Sequence, residues 1–202
     1  TIKFLYQLSL SDHGKILLGE TPNLLLFVFE YVINFPGTRV GRELIALAIN
    51  LCQIARNVDA MIGLGPPTNS NTPSPPPINL QRLMERFMQT HDSLLGKMIR
   101  NISSHDRHKG GFLPYIQSLI SICTTHSADE SEVVVECLGI LGNMNNLRGY
   151  SFLDCFKRLN VVDFIFRHIQ QALKIVRSGP PSDSLDLYLE IIALLGIVNC
   201  DM

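Results

Sequence analysis

Several features that often reveal a protein's class are scarce in this sequence of 202 residues. Its formal net charge is -1, so it lacks the positive charge that drives non-specific binding to nucleic acid. The most apolar stretch of its first quarter, Leu24–Val28, is far shorter than the roughly 20 apolar residues that cross a bilayer. It also lacks a glycine-rich phosphate-binding loop. We therefore expect a soluble protein that neither binds nucleic acid nor inserts into a membrane.

Cysteine is sparse too, and its spacing argues against two kinds of site. The five cysteines include no close pair, which disfavours both a disulfide framework and a cysteine-rich zinc site. Isolated cysteines are typical of small apolar core residues in a reducing compartment, so the cytosol is the expected location. They are Cys52, Cys123, Cys137, Cys155 and Cys200.

What the sequence does contain is a helix that recurs. The segment Ser93–Asp106, SLLGKMIRNISSHD, has apolar residues at helical spacing, which predict a buried stripe of Leu94, Leu95, Met98, Ile99 and Ile102. This helix covers residues 93–103, and related segments lie near residues 2–9, 38–52, 131–144 and 184–198. They repeat with a period of about 42 residues interrupted by two insertions, which is typical of armadillo or HEAT repeats.

The segments between these copies complete the repeat. A three-helix armadillo unit has its helices in the order short, long, long. The helices predicted between the copies are Leu24–Ile33, Arg56–Ile62, Asn79–Met88, Phe112–Cys123, 151–158 and 160–175. A polar turn with Gly19 and Pro22 precedes the first of them. The predicted fold is therefore all-α: a right-handed armadillo-repeat superhelix, or α-solenoid, of about four to five repeats over residues 1–202. Because both ends fall on apolar helical stretches, we expect a fragment of a longer solenoid.

One segment does not fit the repeat. Residues 65–77, GPPTNSNTPSPPP, contain six prolines and predict an inserted loop rather than a helix. Such an insertion costs little, since loop-closure entropy rises by only about 0.6 kcal/mol per doubling of length. An inert loop is the favoured interpretation. A ligand for an aromatic-groove domain, or phosphorylation of Thr72 and Ser74, each followed by proline, stays open.

Candidate catalytic and metal-binding patterns are weak. His105 and His108 form an HxxH pattern and Cys123 and His126 a CxxH pattern, but a structural zinc site usually needs two tight ligand pairs at a matching distance. Glutamates that could act as an acid–base pair recur in register with the repeat, which favours a structural role. We expect no catalytic residue, no metal and no cofactor.

The strings LLGKMIRNISSHD, EVVVECLGILGNM and LEIIALLGIVNCDM, in this order, closely resemble the kinesin-associated protein family, the non-motor subunits of heterotrimeric kinesin (kinesin-II). RELIALAINLCQIARNV resembles the unit before them. The resemblance covers essentially the whole chain except the proline-rich insertion. It implies a cytoplasmic, microtubule-associated adaptor that binds motor-subunit tails and links them to cargo, including intraflagellar-transport proteins of the cilium. Another armadillo scaffold, such as a junction or signalling adaptor, is the alternative.

The resemblance also implies a binding groove. In armadillo proteins an asparagine on each third helix faces the concave groove and hydrogen-bonds the backbone of an extended ligand. Asn50, Asn101 and Asn143 match that position. Import receptors add a tryptophan four residues earlier, and the absence of tryptophan from this chain argues against recognition of basic import signals.

Basic residues on the same helices suggest the chemistry of the ligand. Arg42, Lys97 and Arg100 would make the groove locally positive although the chain as a whole is nearly neutral. Such a groove favours acidic or phosphorylated segments. The alternative, in which these residues are only a solvated helix face, is equally favoured by the sequence.

Overall fold

The computed structural model describes residues 2–63, 77–125 and 131–144, together with isolated helical positions at 157, 163, 166–167 and 170. All regular secondary structure in these residues is helical, which confirms the all-α prediction for this part of the chain. The α-helices are α1 Ile2–Leu8, α2 Asp12–Glu20, α3 Leu24–Asn34, α4 Arg39–Leu51, α5 Ala55–Ile62, α6 Ile78–Thr90, α7 Ser93–Ser103, α8 Ile116–Thr125 and α9 Ser131–Asn143. A 3-10 helix, Asp106–Tyr115, separates α7 from α8.

Four of the five predicted copies of the recurring helix are helices in the structure. They are α1, α4, α7 and α9. The fifth copy, 184–198, lies outside the described residues, as do residues 65–76 of the predicted insertion. The buried stripe predicted for α7 is also confirmed: Leu95, Met98, Ile99 and Ile102 are fully buried, and Leu94 is half-buried.

The chain forms two compact units, Thr1–Phe112 and Leu113–Met202. In the first unit, equivalent helices lie side by side: α4 contacts both α1 and α7, α3 contacts α6, and α2 contacts α5. We call these the third-helix layer (α1, α4, α7), the second-helix layer (α3, α6) and the first-helix layer (α2, α5). In the second unit α8 packs against α9.

Side chains at the N-terminal ends hold the helices of the first unit in place. Thr38 accepts the backbone N–H of Gly41 at the start of α4 (3.0 Å), and Asp92 accepts the N–H groups of Leu94 and Leu95 at the start of α7 (2.9 and 3.2 Å). Such caps each stabilise a helix by about 1 kcal/mol. Helices α4 and α7 therefore begin at positions fixed by local sequence.

Helix α2 was missed by the sequence analysis, which placed only a polar turn before α3. Its N-cap is Ser11, which accepts the N–H of Gly14 at 3.1 Å. Its buried positions are occupied by Gly14, Lys15 and Leu18, while Ile16 and Leu17 are exposed. Because a glycine and a lysine stand where apolar residues are expected, the helical pattern was hidden.

The segment before α8 also differs from the prediction. The helix expected over Phe112–Cys123 begins only at Ile116, and the residues before it form the 3-10 helix. Pro114 has no backbone N–H to donate within an α-helix, and Gly110 and Gly111 are poor helix formers. Phe112 is nevertheless fully buried at its predicted apolar position.

Within the described ranges no single helix is long and apolar enough to span a membrane. Helices α2 and α3 together have the length and apolar composition of a membrane span, but the chain bends by 93° between them.

Candidate partner-binding face

The third-helix layer leaves one side of α4 and α7 outside the core. Along α4, Arg42, Ala46 and Asn50 follow one another at intervals of four residues, and none of them is buried. Lys97 and Asn101 repeat this arrangement on α7. Residues four apart share one side of a helix. We call this surface, with the matching side of α1, the third-helix face.

The two asparagines of this face link α7 to α4 and α4 to the end of α1. Asn101 Nδ2 donates to the backbone carbonyl of Ile49 on α4 at 2.8 Å. Asn50 Nδ2 donates to Ser9 Oγ, just after α1, at 3.0 Å. Both side chains are half-buried, where a lost partner costs about 1–3 kcal/mol. Each asparagine therefore has a stacking role in the structure, whatever else it binds.

The three basic residues predicted for the groove have different surroundings. Arg42 Nη1 pairs with Asp92, the N-cap of α7, so this arginine links α4 to α7. Arg100 is half-buried in the last turn of α7. Lys97 is exposed in the middle of that helix. The structure therefore brings the predicted residues of α4 and α7 together, and Lys97 is the one most open to a partner.

Asn143, the remaining predicted site residue, belongs to the second unit. It is the last residue of α9 and is half-buried. Its place in the repeat corresponds to that of Asn50 and Asn101, and its role in binding stays a prediction.

A cavity on the third-helix face was not anticipated. It lies between α1 and α4 and has a volume of about 240 Å³. Its lining consists of Ile2, Lys3, Tyr6, Gln7, Glu43 and Ala46. Ala46 holds the repeat position that lysine occupies in α1 and α7, as Lys3 and Lys97. The short side chain at this position of α4 is a signal in the sequence that could have revealed the cavity.

The second-helix layer uses its charges differently. Arg82 Nη1 and Nη2 donate to the two carboxylate oxygens of Glu30 at 2.6 and 2.8 Å, and Arg86 Nε donates to the carbonyl of Ile33 at 2.8 Å. The hydrogen bond from Arg82 lowers the pKa of Glu30, and the same bond raises the pKa of Arg82. Both arginines of α6 are thus occupied by α3.

The HxxH histidines contact the end of α4 and helix α5. His105 Nε2 donates to the carbonyl of Cys52 at 2.8 Å, and His108 Nε2 lies 2.9 Å from Asp59 Oδ1. Burial lowers the pKa of His108 despite the opposing effect of Asp59. Among the residues that the structure describes, no group of three or more His, Cys, Asp or Glu side chains is placed to hold a metal ion.

The buried cysteines have the properties of core residues. Desolvation raises the pKa of the Cys52 thiol to about 12. A hydrogen bond that the Cys137 thiol makes to Cys123, together with burial, raises the pKa of Cys137 in the second unit. Because the thiolate is the reactive form, such cysteines are poor nucleophiles.

The family model of kinesin-associated protein (KAP) matches residues 1–202, the whole chain. The chain belongs to the kinesin-associated protein family. This match confirms the family that the strings of α7, α9 and the last segment indicated. The kinesin-associated proteins are not a known family of enzymes. No solved structure matches the chain.

Proposed function

We propose that this chain is a non-enzymatic adaptor segment of heterotrimeric kinesin, which binds the tails of the motor subunits and links them to cargo. The observation that carries the proposal is the match of the whole chain to the kinesin-associated protein family. The cargo includes intraflagellar-transport proteins, and the protein acts in the cytoplasm, on microtubules and in the cilium and its basal body.

The architecture of this adaptor is a right-handed armadillo superhelix of about four to five three-helix repeats. Its support is the side-by-side arrangement of equivalent helices in the first unit, where α4 lies between α1 and α7. The spacing of the recurring helix along the sequence includes α9 as a further copy. A stack of this kind buries a continuous core while leaving one long face open.

The partner-binding surface is the third-helix face, with Lys97 as its most accessible basic residue. Arg42 and Arg100 lie on the same two helices, and Asn50 and Asn101 hold those helices in register. A positive face on a chain of net charge -1 favours an acidic or phosphorylated segment of the partner. Asn143, on α9 of the second unit, is a further candidate binding residue.

Direct binding to the motor tails tests this function. The 202-residue chain would be titrated with purified tail fragments of the paired motor subunits, and its helical fold would be checked by circular dichroism. We expect saturable binding by the folded chain. A folded chain that binds neither tail contradicts the proposal. A chain that captures junction or signalling proteins from cell lysate, without motor subunits, belongs instead to another kind of armadillo scaffold.

A further inference from the structure

The cavity between α1 and α4 has the size of a side-chain pocket. Its volume of about 240 Å³ is below the roughly 300–1,000 Å³ of clefts that bind drug-sized molecules. Ile2, Tyr6 and Ala46 give it an apolar surface on the open side of the third-helix layer. In protein interfaces, such pockets receive one buried anchor residue of the partner, which contributes much of the affinity.

Charged residues around the cavity indicate what surrounds the anchor. Lys3 lies in its lining, and a shallower depression beside it is lined by Arg39 and Val40 as well. The side chain of Arg39 is 88% exposed, and its Nε is 3.8 Å from Glu43, the acidic residue of the lining. Lys97 adds a further exposed positive charge on α7 of the same face. Positive charge is therefore in excess on this face, which complements an acidic partner.

We propose that this cavity receives one bulky apolar side chain of an acidic peptide segment that lies along the third-helix face. The inference rests on the proposed function, because a motor tail bound there is the segment that would carry this side chain. Leucine is a suitable anchor, since it fills an apolar pocket without a polar group that needs a partner. The glutamates or aspartates on either side of the anchor reach Lys3 and Arg39.

A pair of synthetic peptides tests the pocket without the motor. The probes are a fluorescein-labelled peptide with one leucine flanked on both sides by glutamates, and the same peptide with alanine in place of leucine. Fluorescence anisotropy would measure their affinity for the full chain. We expect the leucine peptide to bind about tenfold more tightly, which corresponds to about 1.4 kcal/mol. Equal affinities, or no binding of either peptide, would overturn the proposal.

Filling the cavity provides the second arm of the test. Ala46→Leu should abolish the preference for the leucine peptide, because the new side chain occupies the pocket. Ala60→Leu is the matched control: Ala60 is exposed on α5, in the first-helix layer, and should leave the preference unchanged. A preference that survives Ala46→Leu contradicts the pocket assignment. Should Ala46→Leu lower the helical content, the comparison of the two peptides on the unchanged chain still decides.

The outcomes separate this inference from the proposed function. Motor tails that bind while the leucine peptide shows no preference leave the function intact and overturn the pocket. A leucine preference without tail binding supports the pocket and contradicts the function. Self-association of the chain that Ala46→Leu abolishes, measured by sedimentation, would assign the cavity to a second copy and also overturn the proposal.

Discussion

The second-helix and third-helix layers of the first unit join successive helices in different ways. Between α3 and α6 the polar contacts come from arginines, with both carboxylate oxygens of Glu30 bound by Arg82 and the carbonyl of Ile33 by Arg86. Between α4 and α7 a neutral amide, that of Asn101, bonds to a backbone carbonyl near the C-terminal ends of the two helices, and Lys97 is left exposed. The ion pair of Arg42 with Asp92 lies at the N-terminal end of α7.

This difference teaches which charges are available for function. A basic residue that is fully hydrogen-bonded to the neighbouring helix supports the stack and has little left to offer a partner. A basic residue on a face held together by an asparagine can bind a partner without weakening the stack. We propose that the second-helix layer mainly supports the stack and that the third-helix face binds the partner, although both are built from helices of similar length.

The largest effect on stability is expected from a substitution in the apolar core beneath both layers. Phe29 of α3 is fully buried, so Phe29→Ala should lower the free energy of unfolding by about 3–5 kcal/mol. Phe27→Ala, two residues away and 57% exposed, is the matched control and should change it by less than about 0.5 kcal/mol. Urea unfolding measures both. Similar losses for the two variants would contradict the assigned face of α3.

A glycine at the start of α4 tests how closely this helix approaches the end of α3. A Cβ atom on Gly41 would lie 1.9 Å from the carbonyl oxygen of Phe35, so Gly41→Ala should destabilise the chain by about 1–3 kcal/mol. Nothing lies within 4 Å of the same atom on Gly37, which makes Gly37→Ala the control. Thermal unfolding of the two variants compares them. A Gly41→Ala variant as stable as Gly37→Ala would show that this packing is not tight.

Removal of the asparagine tie should have a smaller effect. Asn101→Ala deletes the bond to Ile49 and is expected to cost about 0.5–1.5 kcal/mol of unfolding free energy. Asn34→Ala removes an exposed amide that bonds only within its own helical turn, to Glu30, and should cost less. Denaturant titration of both variants sharpens the contrast. If Asn101→Ala is neutral, the amide serves a ligand and not the stack.

The ion pair of the second-helix layer should make the smallest contribution, one that depends on pH. Because Arg82 lowers the pKa of Glu30 in the folded chain, this pair stabilises the fold above the unfolded pKa of glutamate and loses its effect as the pH falls through the lower folded value. The side chains of Arg82 and Glu30 are 34% and 47% exposed, so solvent screens the pair and its contribution is below about 1 kcal/mol. Glu30→Gln should remove it.

The measurement is the difference in unfolding midpoint between the wild-type chain and Glu30→Gln, followed from neutral to acidic pH. It should shrink on acidification, because protonated Glu30 no longer pairs with Arg82. A difference that is constant over this range would mean that the pair contributes no pH-dependent stability.

Several helices were readable from the sequence because apolar spacing records which side of a helix is buried. The α7 stripe of Leu95, Met98 and Ile102 is an example. Helix α2 was not readable, because its buried Lys15 depends on Gln53, 38 residues later, whose Oε1 lies 2.6 Å from the lysine Nζ. A pattern confined to one helix contains no information about such a distant acceptor.

The sequence indicated candidate residues but not the contacts that they make within the fold. Asn50 and Asn101 were expected to face a ligand, which stays a prediction; in the structure Asn101 donates to a carbonyl of α4 and Asn50 donates to Ser9, just after α1. The acceptor of Asn101 is a backbone carbonyl, which every residue possesses, so no sequence pattern marks it. The cavity beside Ala46 arises where a small side chain stands at a position that lysine occupies in α1 and α7, and a small apolar residue is not a pattern that marks a functional site.

A charge reversal at Lys97 tests most directly whether the third-helix face binds the motor tails. The affinity of a tail fragment would be measured for the wild-type chain, for Lys97→Glu and for Arg56→Glu, whose side chain is 77% exposed in the first-helix layer. We expect Lys97→Glu to weaken tail binding by about tenfold, or about 1.4 kcal/mol, and Arg56→Glu to leave it unchanged. Unchanged affinity for Lys97→Glu, or equal weakening by both reversals, would contradict it.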